Sequence, residues 1–322
     1  MINDQQKNYF PVSVLAASFL GPSLSPNEDR PWDEASMPFN CDDLVLKVLG
    51  QPMRRAGRFI KMVCSGAMAC LKQVPPETLK GRKTGIFLAT GLGNSDEILP
   101  FVTQVFKHDG GYPSPNQFAN SVSNAAAFFL ARLCDVKGLI LTVSDEELSF
   151  ESALWLAQSA LEAGEIELAL VGGCDVYTPT VEEYRERMNV SAGNTRELPV
   201  GEGSSWLLIG SESLEKMGGI LAVEVGSKTM TPEQFLQSEK YSALKSMAGD
   251  TGKSLWLPGF RLKHPEAPAG LQTYDYLKYC GIHPTAAAFG LAHAIVKNPS
   301  SLLIHYHCSA SGKPAIIVAA TK

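Results

Sequence analysis

The sequence predicts an α/β fold with a mostly parallel central sheet. Short apolar segments with the length of buried strands alternate with longer segments of helical periodicity along most of the chain. The alternation occurs in both halves, which indicates two related halves packed together. The chain has 322 residues, 45% of them hydrophobic and 19% charged, which is enough for a sizeable core.

The first half begins with an apolar stretch and a surface loop, after which strands and helices follow in turn. Residues 22–40 are rich in Pro, Ser, Asp and Glu and are typical of a loop. We then predict a helix over 52–73, a strand over 83–90, a turn over 112–115, a helix over 119–133, a strand over 139–143, a helix over 148–163 and a strand over 165–171. We interpret Gly172 and Gly173 as a tight turn that allows close backbone packing.

The second half repeats this rhythm. We predict strands over 205–210 and 219–225, a helix over 232–247, a strand over 255–257, a helix over 286–296, and strands over 302–306 and 315–319. No short-period repeat is present, so a solenoid is excluded.

Composition excludes several classes of protein. A net charge of -5 argues against a general nucleic-acid binder. No apolar run reaches the roughly 20 residues of a membrane-spanning helix, and the apolar stretch near the N-terminus lacks the basic start of a signal peptide. The seven cysteines are scattered without a CxxC pair, so we expect reduced thiols and a cytoplasmic location.

Four segments, in this order, resemble the β-ketoacyl synthases. They are residues 120–126 with Lys137-Gly138, residues 161–165 with 168–173, the Pro-Val-Gly-Glu-Gly run at 199–203, and Lys278 with residues 283–288. The resemblance implies a thiolase-like fold, with two pseudo-equivalent α/β halves in an α-β-α-β-α sandwich. The expected halves are 1–190 and 191–322, together one compact unit, with a divergent stretch over 1–80.

The departures from this family concern its catalytic residues. The family's spacing places its nucleophilic cysteine at Glu147, and no cysteine lies between Cys134 and Cys174. A condensing enzyme needs a thiolate there to accept and pass on an acyl chain. The family's first histidine falls at Pro258, and its terminal Gly-Phe-Gly-Gly turn falls on Ser309-Ala310-Ser311-Gly312, with Ala310 at the position of the bulky gate residue. Lys278 and His283 match the retained part of the catalytic set.

This pattern is similar to the chain-length factors of type II polyketide synthases, including those of aryl-polyene pathways. Such a resemblance implies a subunit that forms a heterodimer with an active ketosynthase, or pairs with itself, and works with an acyl carrier protein. It places the contact at residues 136–143, bordered by residues 116–124. The uncharged run Leu139-Ile140-Leu141 suits burial by a partner, because a bare apolar edge strand invites aggregation.

Each candidate site residue has two interpretations. Glu147 can complete a capping box with Ser144 at the start of a helix, or it can point into a vestigial acyl pocket and face His283. His283 can be a core histidine satisfied by a backbone carbonyl or a pocket residue. Lys278 can be a solvated side chain or a neighbour of His283 in the pocket.

His305 and His307 alternate along a predicted strand and therefore share one face. Two histidines need at least one more ligand to hold a metal, and Cys308 points to the other face. We therefore expect no metal, and the sequence indicates no cofactor.

Three functions stay open from the sequence. The favoured one is a non-condensing partner in acyl-chain elongation, because the nucleophile is missing. A malonyl-carrier decarboxylase using His283 and Glu147 is the second, although Pro258 offers no donor to an enolate oxygen. The third is a stand-alone ligand-binding protein on the same scaffold.

Overall fold

The computed structural model describes residues 10–32, 40–107, 114–177, 199–211, 217–226, 231–262 and 265–322. Its strands are β1 Val12–Ser18, β2 Thr84–Ala89, β3 Ile140–Val143, β4 Leu168–Asp175, β5 Gly203–Gly210, β6 Gly218–Val225, β7 Lys253–Pro258, β8 Gln272–Thr273, β9 Ser301–Cys308 and β10 Pro314–Thr321. Its α-helices are α1 Asp42–Leu49, α2 Arg58–Leu71, α3 Ser95–Lys107, α4 Pro115–Ser121, α5 Ala125–Cys134, α6 Ser149–Glu162, α7 Pro232–Leu236, α8 Glu239–Ala248, α9 Leu277–Cys280 and α10 Ala286–Lys297. Single 3-10 turns occupy Pro76–Thr78 and Glu146–Leu148.

The sheet contains an internal repeat. Its strand order is β3-β2-β4-β5-β1 followed by β6-β10-β9-β7-β8. Each strand of the first run corresponds to the strand of the second run whose label is five higher, and the second run has these strands in reverse order. The two halves therefore have the same topology. They meet where β1 pairs with β6 through Val12–Ile220 and Ser13–Gly219. The prediction of two pseudo-equivalent α/β halves is therefore confirmed.

The core consists of three apolar clusters, one between the two halves and one under the outer helices of each half. Helices α6 and α10 lie in the middle layer, where α6 packs on β2, β4 and β6, and α10 packs on β1 and β5. Helices α2 and α5 cover the outer face of the first half, and Phe235 of α7 and Leu244 of α8 cover that of the second. Small residues in α10, among them Ala286 to Ala288, let this helix approach the strands of both halves closely. The layers therefore follow the expected α-β-α-β-α order.

The expectation of a mostly parallel sheet is wrong. Among the described strands, four pairs are parallel and five are antiparallel. Parallel neighbours need a long crossover. Described helices lie between β2 and β3, between β3 and β4, and between β8 and β9. β9 and β10 are joined by residues 309–313 alone, so they form an antiparallel hairpin.

Two predicted helices are each divided in two. The segment 119–133 forms α4 and α5, because Val122 has an extended backbone with ψ of 135°. The segment 232–247 forms α7 and α8, because the Ser238 hydroxyl accepts a hydrogen bond from the Tyr241 amide at 3.1 Å and starts a new helix. Periodicity alone did not reveal these interruptions.

Two glycines have another role than predicted, and the N-terminal apolar stretch, for which no element was predicted, is a strand. The stretch forms β1, which lies between β5 and β6 inside the sheet. Gly172 and Gly173 lie within β4, so the predicted turn is wrong, but the close packing is confirmed. A Cβ on Gly172 would stand 2.3 Å from the Trp206 ring, and one on Gly173 would stand 2.7 Å from Thr285.

The predicted boundary between residues 190 and 191 lies outside the described residues. Strand pairing assigns β5 to the first half, because it pairs with β4 and β1. We propose that the halves divide between Gly210 and Gly218. In the described part of the chain, no helix has both the length and the apolar character needed to cross a membrane.

Candidate functional site

The candidate site lies at the carboxyl ends of the parallel strands, where ligands commonly bind in α/β sheets. Four turns meet there: the loop after β2, the turn before α6, the loop after β7 and the turn before α10. Gly91 shows how closely they approach, because a Cβ on it would stand 2.2 Å from Pro284 and 3.0 Å from the Glu146 carbonyl oxygen. The positions aligned with the family's nucleophile and second histidine are thereby brought to one end of the fold.

Glu147 forms a buried ion pair at this end. Its Oε1 accepts a hydrogen bond from the Arg261 guanidinium, and the two side chains are only 7% and 6% exposed. Glu147 Oε2 and Arg261 Nε and Nη1 have no hydrogen-bond partner among the described residues. The position of a catalytic cysteine is therefore filled by a carboxylate whose charge is balanced by an arginine.

The capping box predicted for Ser144 and Glu147 is wrong. The α-helix begins at Ser149, after a 3-10 turn, and its N-cap residue Leu148 makes no side-chain cap. The Asp145 amide instead donates to Ser149 Oγ at 2.9 Å. Glu147 therefore points inward to Arg261 rather than back along the helix.

His283 is buried just before α10, with 2% of its surface exposed. Its Nε2 lies beside β5, since a Cβ on Gly203 would stand 3.2 Å away, and its Nδ1 has no partner within the described chain. Burial lowers the pKa of His283 to about 4, although the Gly281 backbone opposes the shift. No hydrogen bond or ion pair between described atoms joins it to Glu147, so the predicted facing pair is not formed.

Asp175 organises the turns around His283. Its Oδ1 accepts hydrogen bonds from Thr90 Oγ1 at 2.8 Å, Gly91 N at 3.0 Å and Leu92 N at 2.8 Å. Its Oδ2 accepts from Thr285 N at 3.0 Å and Thr285 Oγ1 at 2.8 Å. Burial raises the pKa of this carboxyl to about 6, and the five hydrogen bonds limit the rise. Asp175 thus ties the loop after β2 to the turn that bears His283.

Lys278 and the gate turn lie at the surface. Lys278 is exposed and stacks its Nζ over the Tyr279 ring at 4.7 Å, which is the solvated alternative. Ala310, Ser311 and Gly312 form an exposed turn, closed by a 2.9 Å bond from Gly312 N to the Ser309 carbonyl. Lys313 continues this turn and pairs with Asp145 at 3.1 Å, so the turn lies over the segment that leads to Glu147.

The Gly-Glu-Gly motif has a structural role next to the site. Glu202 is fully buried and accepts from both terminal nitrogens of Arg58 in α2. It also accepts from the Tyr177 amide at 2.9 Å. Because an unpaired buried carboxylate is unfavourable, this fork fixes α2 against the start of β5.

Glu151 adds a third group to the two histidines of β9. Its Oε1 lies 2.9 Å from His305 Nε2 and 3.0 Å from His307 Nδ1. The three side chains could hold a metal ion, since their ligand atoms lie within 4.8 Å of one another. The reason given above for expecting no metal, the lack of a third ligand, is therefore wrong.

Three of these residues were missed from the sequence. Arg261 directly follows the segment aligned with the family's first histidine, so its charge could have identified it as a candidate site residue. Glu151 lies in the first turn of α6, where an acidic residue is common, so no local pattern marks it as a partner of the two histidines. Asp175 follows the predicted end of β4, and no local pattern distinguishes it from a surface turn residue.

The fold is shared with solved structures of ketosynthases. The chain superposes on the ishigamide ketosynthase/chain length factor with a TM-score of 0.73 at 16% identity, covering 97% of this chain and 99% of that one. A β-ketoacyl synthase from Burkholderia phymatum STM815 gives 0.71 at 13% identity, covering 98% and 100%. A type II polyketide synthase ketosynthase, solved in complex with its acyl carrier protein and bound to the hexaketide, gives 0.68 at 12% identity, covering 98% and 100%.

Sequence comparison identifies the family. No curated protein matches the chain. The family model for the β-ketoacyl synthase N-terminal domain matches residues 34–203, just over half of the chain. That stretch contains Glu147, Asp175 and Glu202, and the structure around them has the thiolase-like architecture of the ketosynthases above. The chain belongs to the β-ketoacyl synthase family.

Proposed function

We propose that this chain is a non-condensing β-ketoacyl synthase-like subunit that pairs with an active ketosynthase in acyl-carrier-dependent chain elongation. One observation carries the proposal: the nucleophile position holds Glu147, locked in a buried ion pair with Arg261. A carboxylate held in this way has no thiolate chemistry to offer an acyl thioester. The chain-length-factor-like role follows, because the scaffold is kept while the nucleophile is absent.

The cysteines nearest in sequence do not replace the nucleophile. Burial raises the pKa of Cys134 to about 12, and it raises the pKa of Cys174 well above its usual range. Reactive cysteines need the opposite shift, toward a thiolate at neutral pH. Neither thiol therefore supports covalent acyl transfer.

Decarboxylation of a malonyl carrier is the alternative that keeps some chemistry. His283 is neutral at neutral pH because burial lowers its pKa to about 4. Pro258 stands at the position of the family's first histidine, and Arg261 forms an ion pair with Glu147. A malonyl-carrier decarboxylation assay separates this alternative from the binding role, and release of CO2 that is lost in His283→Gln would favour it.

The partner surface we propose surrounds β3. This strand lies at the end of the sheet order, and Ile140 is 38% exposed. Helix α5 packs on β3, α4 packs on α5, and α3 packs on α4. These helices carry Phe128, Phe118 and Phe106, which are 57%, 57% and 79% exposed. Exposed large apolar side chains mark interaction surfaces, and a permanent interface buries on the order of 2,000 Å² or more.

Co-expression with a complete ketosynthase tests the pairing. We expect a stable heterodimer by size exclusion and light scattering, or a homodimer when the chain is expressed alone. Ile140→Asp should weaken the dimer, since its side chain faces outward, whereas Leu139 and Leu141 pack on the core and their replacement would disrupt folding. Met247→Asp is the matched control, because Met247 is 46% exposed on α8, outside this surface. A stable monomer at micromolar concentration without affinity for the ketosynthase would refute the pairing.

Intact-mass spectrometry tests the lack of condensation. Incubated with acyl and malonyl carriers, the chain should hold no acyl thioester and should form no ketoacyl product. Glu147→Cys should remain inactive, because the first histidine is absent and Arg261 loses its partner. A thioester on Cys134 or Cys174 would overturn the assignment of Glu147.

All seven cysteines are unpaired, which supports the cytoplasmic location we propose.

A further inference from the structure

A buried cluster of three ionisable side chains joins the two halves of the molecule. Glu151 comes from α6 in the first half, and His305 and His307 come from β9 in the second. None of the three is more than 1% exposed. Neither the family resemblance nor the proposed function uses this cluster.

The hydrogen bonds of His305 show that something positive lies between it and Glu151. His305 Nδ1 lies 2.9 Å from the Leu257 carbonyl oxygen, which can only accept, so Nδ1 carries the proton of the neutral ring. Its Nε2 then presents a lone pair to Glu151 Oε1 at 2.9 Å. Two lone pairs at this distance repel each other unless a proton or a metal ion lies between them.

A proton alone leaves the cluster incompletely satisfied. Glu151 Oε2 has no partner in the described part of the chain, although it is buried. Buried polar atoms are rarely left unpaired, since each costs about 1–3 kcal/mol. A carboxylate that binds a cation through both oxygens accounts for Oε2.

The distances match metal coordination. Nitrogen and oxygen ligands at about 2.1 Å from an ion stand about 3.0 Å apart at the right angles of octahedral coordination, and about 3.4 Å apart at the tetrahedral angle. Glu151 Oε1 stands 2.9 Å and 3.0 Å from the two histidine nitrogens. The bond from His305 Nδ1 to a backbone carbonyl is the usual way in which a protein orients a metal-binding histidine.

We propose that Glu151, His305 and His307 bind one divalent transition-metal ion of the class that prefers imidazole and carboxylate ligands, such as Zn(II) or Fe(II). The ion joins α6 to β9 and so fastens the first half to the second. Because the ligands are buried, it enters while the chain folds. The role is structural and independent of the proposed pairing with a ketosynthase.

Metal content of the full-length chain tests the site. The protein is produced in defined medium supplemented with Zn(II) or with Co(II), and metal is measured by inductively coupled plasma mass spectrometry. We expect about one ion per chain, and the Co(II) form should show visible ligand-field absorption. Glu151→Gln and His307→Gln should lower the affinity at least as much as loss of an outer-shell partner does, about 10- to 100-fold.

His293→Gln is the matched control. His293 is also buried, but it lies in an aromatic cluster and bonds to Tyr274 OH at 2.7 Å. This variant should keep the full metal content. Wild-type protein without stoichiometric Zn(II) or Co(II) would overturn the proposal even if a ligand variant failed to fold. Full metal content in both ligand variants would overturn it as well, because the ion would then be bound elsewhere.

Discussion

Replacing Arg261 by methionine tests how much the ion pair with Glu147, at the nucleophile position, contributes to stability. Methionine keeps much of the side-chain volume, so the main change is a buried Glu147 carboxylate without its partner. With both side chains less than 10% exposed, the pair belongs to the buried class, in which removal of one partner costs about 3–5 kcal/mol. Three atoms of the pair already lack partners, so we expect the lower end of that range.

Urea unfolding measures the effect. A loss of about 3 kcal/mol lowers the denaturation midpoint by about 1 M for a slope of about 3 kcal/mol/M. Arg30→Met is the control, because the Arg30–Glu28 pair is 72% and 47% exposed and should change stability by less than about 1 kcal/mol. Combining Arg261→Met with Glu147→Leu should recover most of the loss, since no buried charge remains. If Arg261→Met shifts the midpoint no more than Arg30→Met, Glu147 is not held as a buried charge and the argument fails.

Other perturbations test the surrounding structure. Burial lowers the pKa of His283 in the folded protein to about 4, below the ordinary value of about 6.5. The contribution of the neutral side chain to stability is therefore present above about pH 6.5, and it is lost, by on the order of 3 kcal/mol, as the pH falls from 6.5 toward 4. His283→Gln should remove this slope from pH-dependent unfolding curves. Gly201→Ala should destabilise the protein by at least about 1–3 kcal/mol in the same assay, because the new Cβ would stand 1.7 Å from the Cys280 carbonyl oxygen. Gly252→Ala, with its nearest atom at 3.6 Å, should leave stability nearly unchanged. Cys134 should resist iodoacetamide in the folded protein at pH 8, since burial raises its pKa to about 12, and rapid alkylation seen by mass spectrometry would contradict that burial.

The sequence predicted those parts of the fold that depend on local periodicity. Strands such as β2 and helices such as α6 and α10 lie within a few residues of their predicted bounds. The direction of β5 was not predicted, because its antiparallel pairing with β4 and β1 is decided by contacts between segments distant in sequence. The direction of β10 was missed although the short connection over residues 309–313 indicates a hairpin. The place of β1 inside the sheet was missed for the same reason.

The sequence predicted where the site residues lie in the fold better than it predicted which residues their side chains contact. Alignment of short motifs placed Glu147 and His283 at one end of the fold, where the structure also has them. Spacing along the chain does not specify which side chain a buried charge will meet. Arg261 and Glu147 are far apart in sequence, as are Glu151 and His307, and only the packing of one half on the other brings them together.

The position of β1 has a consequence for the order in which the chain folds. β1 is synthesised before the other strands of this sheet, yet it pairs with β5 and β6, which lie roughly 200 residues further along the chain. Until they appear, its backbone donors and acceptors and its apolar side chains have no strand to join. Contacts between such distant segments slow folding and prolong the exposure of unpaired strand edges and apolar side chains. A change that delays the synthesis of β5 or β6 would therefore favour aggregation before it affected the stability of the finished fold.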